Sequence, residues 1–120
     1  MATDVKAWFQ EFKKSAGELK EQAPDMMNGF GGMFARIMKD GAVSLKTKEL
    51  IAVSIGVAMK CEPCIRLHVQ KCLDAGCTRD EIVEATSVAV MMGGGPAYTH
   101  MPIVLETLDE LQSWAQAKTG

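Results

Sequence analysis

The sequence predicts an all-α protein. Apolar residues recur every three or four positions along almost the whole chain, and no segment combines strand-like alternation with flanking turn signals. The chain has 120 residues, enough to bury one core without disulfide staples. We therefore expect a single helical domain over residues 1–120.

The first two predicted helices differ in regularity. Residues 3–22 follow a candidate N-cap at Thr3 or Asp4, keep a helical apolar spacing and stop before a proline. Residues 25–40 are also predicted to be helical, but three glycines weaken this segment. Gly41 is expected to end it, so residues 3–22 form a helix appended to the core.

The next two predicted helices flank the first cysteines. Ser44 is a good N-cap for a helix over residues 45–59, whose second half is apolar on all sides. A helix over residues 62–75 begins within the cysteine motif and ends before Gly76.

The last two predicted helices are separated by a glycine-rich break. Thr78 and Glu81 form a capping box for a helix over residues 79–92. The GGGP run at residues 93–96 interrupts the chain, and a final helix is expected from about residue 97 or 102 to 117.

Two of these helices, residues 45–59 and 79–92, have apolar faces too wide for one small bundle to cover. We therefore expect a homo-oligomer that buries these faces between subunits. The alternative is a compact monomer with a methionine-rich core.

Charge and hydropathy exclude several classes of partner. The formal net charge is −2 and basic residues are interspersed with acidic ones, so neither nucleic acid nor a membrane surface is expected to bind. The N-terminus lacks the apolar core of a secretory signal, and the longest apolar stretch, residues 50–59, is about half of a bilayer span. We expect a cytoplasmic protein, where cysteines tend to be catalytic, redox-sensing or metal-bound.

The stretch KCEPCIRLH carries the clearest chemistry. Cys61 and Cys64 are three residues apart at a predicted helix start, so their sulfurs can approach within disulfide distance, and the helix N-terminus would lower a thiol pKa. Pro63 fits a first helical turn. His68 follows one turn later on the same face, where it can exchange a proton with a sulfur.

Metal binding is the main alternative for these residues, because zinc sites use the same CxxC spacing. Cys61, Cys64 and His68 could provide two or three ligands. Cys72 lies about 12 Å farther along the helix than Cys64, so the two cannot share one ion. Cys72 and Cys77 are interpreted as small buried apolar residues.

Glu49 extends the motif backwards. The pattern Glu49-x11-Cys61-x2-Cys64-x3-His68 resembles the signature of the AhpD-like alkylhydroperoxidases of the carboxymuconolactone decarboxylase superfamily. The similarity covers about residues 35–110, including GGGPAYTHMPIVLETLDEL. It implies an AhpD-like helical fold, trimers or hexamers, and reduction of hydroperoxides or disulfides by the CxxC pair. It also implies re-reduction by a dithiol donor such as a lipoyl group, without a cofactor.

The resemblance also implies roles for the site residues. Cys64 would be the nucleophile and Cys61 the resolving cysteine, although helix position alone favours Cys61 as the more acidic thiol. Apart from the resemblance, the apolar run LIAVSIGVAM directly after Glu49 predicts that its side chain is drawn towards the core, where an acid needs a partner. Buried beside His68 or a bound water, Glu49 would accept the proton of Cys64 with His68 as relay. A surface acid favoured by the helix dipole is the alternative for Glu49.

The chain departs from the best-known AhpD proteins in having Glu62 and Pro63, without a histidine, between the cysteines. It also has only one copy of the core region. Tyr98 and His100 are not assigned to the site. Two alternative functions are a family decarboxylase or lyase, which would not use the CxxC pair, and a non-enzymatic metal-binding or redox-sensing oligomer.

Overall fold

The computed structural model describes residues 3–119, with side chains described through residue 115. All regular elements in this range are helices, which confirms the all-α prediction. The helices are α1 (Val5–Gln22), α2 (Pro24–Ile37), α3 (Leu45–Ala58), α4 (Glu62–Asp74), α5 (Arg79–Gly93), α6 (Gly95–Tyr98) and α7 (Met101–Thr119). The chain forms two compact units, one ending at Lys39 and one beginning at Asp40.

The first unit consists of α1 and α2. The Asp4 side chain accepts a hydrogen bond of 3.0 Å from the Ala7 N–H and caps α1, as predicted. Within α1, the rings of Trp8 and Phe12 stack with centroids 5.3 Å apart. The expectation that the second helix reaches residue 40 was wrong, because α2 ends at Ile37.

The early end of α2 has a local cause. Asp40 does not continue the helix, because its carboxylate accepts a 2.8 Å hydrogen bond from the N–H of Leu45. That bond makes residues 38–44 a connecting turn into α3.

The second unit has α3 in contact with both α4 and α5, while α7 packs on α4. Its core consists of fully buried aliphatic side chains: Val53, Val57, Ile65, Val69, Ile82, Val104 and Leu108. Burial of such a side chain is worth about 1.5–3 kcal/mol, so this core holds α3, α4 and α7 in fixed positions.

The predicted caps of the second unit are confirmed. Ser44 accepts from the Thr47 N–H at 3.1 Å at the start of α3. Thr78 and Glu81 form both hydrogen bonds of the capping box at the start of α5.

The glycine-rich break has the predicted position. Gly94 has a φ of 72°, which favours glycine, and α6 forms one short turn before α7 begins at Met101. In the described part of the chain, each helix is too short or too polar to cross a bilayer.

Candidate active site

The end of α3 delivers Cys61 to the start of α4. The Lys60 N–H donates to the Val57 carbonyl at 3.1 Å, and the Cys61 N–H donates to the Gly56 carbonyl at 2.9 Å. This pair of bonds is a Schellman motif, with Lys60 in the left-handed region at a φ of 57°. The chain therefore turns sharply after α3, and α4 starts immediately after the turn.

Cys61 and Cys64 occupy this turn and the first turn of α4, as predicted. Cys61 is the N-cap residue, and its Sγ accepts a 3.3 Å hydrogen bond from the Cys64 N–H. The two cysteines form a disulfide, with their Cα atoms 5.3 Å apart. Both are half-buried, and Pro63 lies in the first helical turn, where its missing N–H removes no hydrogen bond.

Gly56 allows α3 to approach the disulfide closely. A Cβ on this glycine would lie 3.2 Å from the Cys64 Cβ and 3.4 Å from the Ile65 nitrogen. The small residue at position 56 thus sets how closely the first turn of α4 packs on α3.

Glu49 and His68 contact each other one helical turn beyond the Cys64 position on α4. Glu49 is only 4 % exposed on α3, and its Oε1 lies 2.8 Å from Nδ1 of His68 on α4. The expectation that Glu49 is drawn into the core towards His68 is confirmed in position. His68 lies four residues after Cys64, one turn along the same face of α4.

The Glu49 contact fixes the orientation of the imidazole. An ionised carboxylate only accepts hydrogen bonds, so Nδ1 of a neutral His68 carries the hydrogen and Nε2 keeps a lone pair. The pair can thereby take up a proton at Nε2 and stabilise the resulting positive charge through Glu49.

Arg66 is a site neighbour that the sequence analysis missed. It is 1 % exposed, and its guanidinium contacts Glu62 at 3.0 Å, Glu106 at 2.8 Å and the Thr107 hydroxyl at 3.0 Å. These bonds anchor the first turns of α4 to α7. The four-residue spacing of Glu62 and Arg66 was visible in the sequence, but the contact with α7 joins residues about 40 positions apart.

Cys72 and Cys77 are free thiols, both buried, in agreement with their interpretation as small apolar residues. Burial raises the pKa of Cys72, and the neighbouring Cys77 raises it further. Burial also raises the pKa of the Cys77 thiol, which lies 3.7 Å from the Lys46 carbonyl oxygen. These thiols stay protonated near neutral pH, which makes them poor nucleophiles.

The remaining candidates lie outside this constellation. The imidazole of His100, in the turn between α6 and α7, contacts the carbonyl of Pro96 in α6 at 2.8 Å. Across residues 3–115, no three side chains of His, Cys, Asp or Glu are arranged to hold a metal ion.

Sequence comparison identifies the family to which this arrangement belongs. The sequence model of the carboxymuconolactone decarboxylase family matches residues 24–107, about 70 % of the chain. The chain belongs to the carboxymuconolactone decarboxylase family. The match extends eleven residues farther towards the N-terminus than the expected start at residue 35.

Two uncharacterised proteins illustrate the similarity of this family member to its relatives. A protein of Cupriavidus necator is 31 % identical over 113 residues, which cover 94 % of this chain and 100 % of the relative. A protein of Paracoccus denitrificans encoded in the cox locus is 35 % identical over 95 residues, covering 79 % of this chain and 86 % of the relative.

Solved structures of the carboxymuconolactone decarboxylase family share the fold. A Legionella pneumophila protein superposes with a TM-score of 0.84 at 34 % identity, covering 88 % of this chain and 95 % of that one. A Thermotoga maritima protein, with a suggested part in an antioxidative response, gives a TM-score of 0.82 at 25 % identity, covering 93 % and 96 %. The AhpD-like fold predicted for this chain is thereby confirmed.

Proposed function

We propose that this protein is a dithiol oxidoreductase that reduces hydroperoxides or disulfides through a Cys61 and Cys64 cycle, with Glu49 and His68 as its proton relay. The observation that carries the proposal is that a disulfide and a carboxylate–imidazole contact lie one turn apart along α4. The disulfide lies at the start of α4, and His68, one turn after Cys64, contacts the buried Glu49 of α3.

The first half of the cycle oxidises the reduced dithiol. His68 Nε2 takes the proton of the Cys64 thiol, and the Cys64 thiolate attacks the outer oxygen of a hydroperoxide. The O–O bond breaks, the alkoxide leaves and receives that proton as an alcohol, and Cys64 becomes a sulfenic acid.

The second half closes and then reopens the disulfide. The Cys61 thiolate attacks the sulfur of the Cys64 sulfenic acid, the S–O bond breaks, and the departing hydroxide is protonated to water. A donor dithiol, such as a dihydrolipoyl group, then reduces the disulfide by two thiol exchange steps and is itself oxidised to a cyclic disulfide. The 5.3 Å Cα separation allows this bond to form and break without movement of α4.

Peroxide turnover with different donors tests the proposed function. Purified protein is mixed with tert-butyl hydroperoxide and with dihydrolipoamide, reduced thioredoxin or glutathione, and peroxide loss is measured. We expect catalytic turnover with dihydrolipoamide that disappears in C64S. Peroxide loss equal to that of donor alone, with every donor, would contradict the proposal.

The proposal includes association of several copies, as a trimer or hexamer. An apolar groove of about 390 Å³ lies between α3 and α5, and it is lined by exposed residues that include Ile51, Ile55, Val88 and Met92. A monomer rarely leaves such a contiguous apolar surface in water, which favours a second copy as its occupant. Analytical ultracentrifugation should give a trimer or hexamer for the wild type and smaller species for I55E; a wild-type monomer would contradict the assembly.

A further inference from the structure

Lys60, the residue before the redox disulfide, has an unfavourable backbone conformation. Among the described residues, it is the one non-glycine residue with a positive φ, at 57°. For a residue with a Cβ this conformation costs free energy, and such residues cluster at functional sites.

The end of α4 shows what the fold alone requires at this position. There, the Gly76 N–H donates to Leu73 at 3.1 Å and the Cys77 N–H donates to Cys72 at 2.9 Å, the same two bonds that end α3. Gly76, with a φ of 90°, satisfies this turn at no steric cost. Since glycine suffices for the turn, the lysine side chain at position 60 needs another explanation.

The charged residues near the start of α4 provide an explanation for a lysine at position 60. Five ionisable side chains of α3, α4 and α7 contact one another along the first two turns of α4: Glu49, Glu62, Arg66, His68 and Glu106. Three of them are carboxylates and one is a guanidinium, so these side chains bring no net positive charge to the start of α4 that would add to the helix dipole. Within residues 3–115, Lys60 is exposed and forms no ion pair with a carboxylate. Its ammonium is therefore a free positive charge one residue from Cys61.

We propose that Lys60 is a positioning residue of the dithiol cycle, held in its left-handed conformation because its ammonium stabilises the thiolate of Cys61. This inference rests on the proposed function. In the resolving step, the Cys61 thiolate gives its electron pair to the sulfenic sulfur of Cys64. The S–S bond forms as the S–O bond breaks, and hydroxide leaves as water after protonation. A larger thiolate fraction at Cys61 speeds this step and shortens the life of the sulfenic acid.

The test measures the pH dependence of Cys61 alkylation in reduced protein, read by mass spectrometry, in four variants. K60M should move the alkylation midpoint upwards by about 0.5 pH unit, a threefold loss of thiolate, because the lost charge is exposed and its effect on the neighbouring thiolate is weakened by water. K60R should restore the wild-type midpoint. K71M removes a lysine more than two turns farther along α4 and should leave the midpoint unchanged.

The K60G variant separates the effect of the lysine charge from that of the strained backbone conformation. It should show the same upward midpoint shift as K60M and also raise the thermal unfolding midpoint by about 3 °C or more, because the strain is relieved. After addition of tert-butyl hydroperoxide, more Cys64 sulfenic acid should be trapped with dimedone in K60M than in K60R.

Three outcomes overturn the proposal: an unchanged midpoint in K60M, an equal shift in K71M, or a lower unfolding midpoint in K60G. The alkylation midpoint needs no peroxide, so its failure is distinguishable from that of the proposed function. An unchanged midpoint with intact peroxide turnover removes the role of Lys60 alone. A wild type that forms no disulfide with hydroperoxide removes the resolving step together with the proposed function.

Discussion

In each of the two cysteine pairs, one cysteine directly follows a Schellman motif, but the pairs differ in the burial and bonding of their sulfur atoms. Cys61 and Cys77 each follow a helix that ends in a Schellman motif, with an N–H bond of 2.9 Å back to that helix. Cys61 continues directly into α4, where Cys64 joins it in a half-buried disulfide. Cys77 instead lies beside Cys72, and both remain free, buried thiols.

The contrast between the two pairs indicates that thiol reactivity in this protein depends on helix position and burial. The first pair lies at a helix N-terminus beside the Glu49–His68 pair, where a thiolate is favoured. The second pair extends from the last turn of α4 into the core, where burial raises both pKa values. Only the first pair is therefore expected to cycle between dithiol and disulfide.

Replacement of one cysteine in each pair should give the largest difference in peroxide turnover. C64S removes the proposed nucleophile and should lower peroxide turnover by about a thousandfold or more. C77A removes a buried thiol and should keep wild-type turnover. Comparable losses in the two variants, measured as peroxide consumption with dihydrolipoamide, would break the distinction between the pairs.

Removal of the relay charge should have the next largest effect. E49Q keeps the size of the side chain but removes the carboxylate that supports proton uptake by His68, so turnover should fall by about 100-fold. E84Q, an exposed substitution on α5, is the matched control and should leave turnover unchanged. Wild-type turnover in E49Q at all pH values would exclude the relay.

The stability of the folded protein at alkaline pH should depend on Cys72 and Cys77. Cys72 and Cys77 have raised pKa values in the folded protein, whereas unfolded thiols ionise near pH 8.5, so their contribution to stability is complete below that pH. As the pH rises above about 8.5, the unfolded state loses protons first and stability falls, by up to about 1.4 kcal/mol per pH unit for each thiol.

Urea unfolding between pH 7 and 10, with the Cys61–Cys64 disulfide intact, measures this slope. The double variant C72A/C77A should show a shallower decline than the wild type. Equal slopes would mean that the second pair ionises as readily in the fold as in the unfolded chain.

A substitution that alters the packing of α3 against Cys64 should have the smallest effect, and we expect it in the unfolding free energy. G56A places a Cβ 3.2 Å from that of Cys64, so we expect a loss of about 1 kcal/mol in unfolding free energy. G29A on α2 meets no atom within 4 Å and should stabilise by about 0.5–1 kcal/mol. Thermal unfolding measures the stability of both variants relative to the wild type. A G56A variant more stable than the wild type would show that α4 moves away from the added Cβ without a cost in free energy.

Local features of this fold were predictable from the sequence, and tertiary ones were less so. The Ser44 cap and the Thr78–Glu81 capping box depend on hydrogen bonds within four residues, so their residue types mark the helix starts. The Glu49–His68 contact spans 19 positions and was foreseen because a family signature joins the two residues.

The features missed by the sequence analysis depend on particular non-local or backbone contacts. Arg66 contacts Glu106 across 40 positions, and an ion pair between two helices leaves no periodic pattern in the sequence. The end of α2 was misplaced because Asp40 caps the next helix. The left-handed conformation of Lys60 was not foreseen, since glycine is the usual residue there.

Isotope-coded alkylation of all four cysteines shows whether the Cys61–Cys64 pair cycles between dithiol and disulfide while Cys72 and Cys77 do not. Reduced protein is treated with one equivalent of tert-butyl hydroperoxide, and thiols are labelled before and after reduction. We predict that Cys61 and Cys64 become inaccessible to the first label together, while Cys72 and Cys77 remain thiols. Oxidation of Cys72 and Cys77 to the same extent, or of neither pair, would contradict the account.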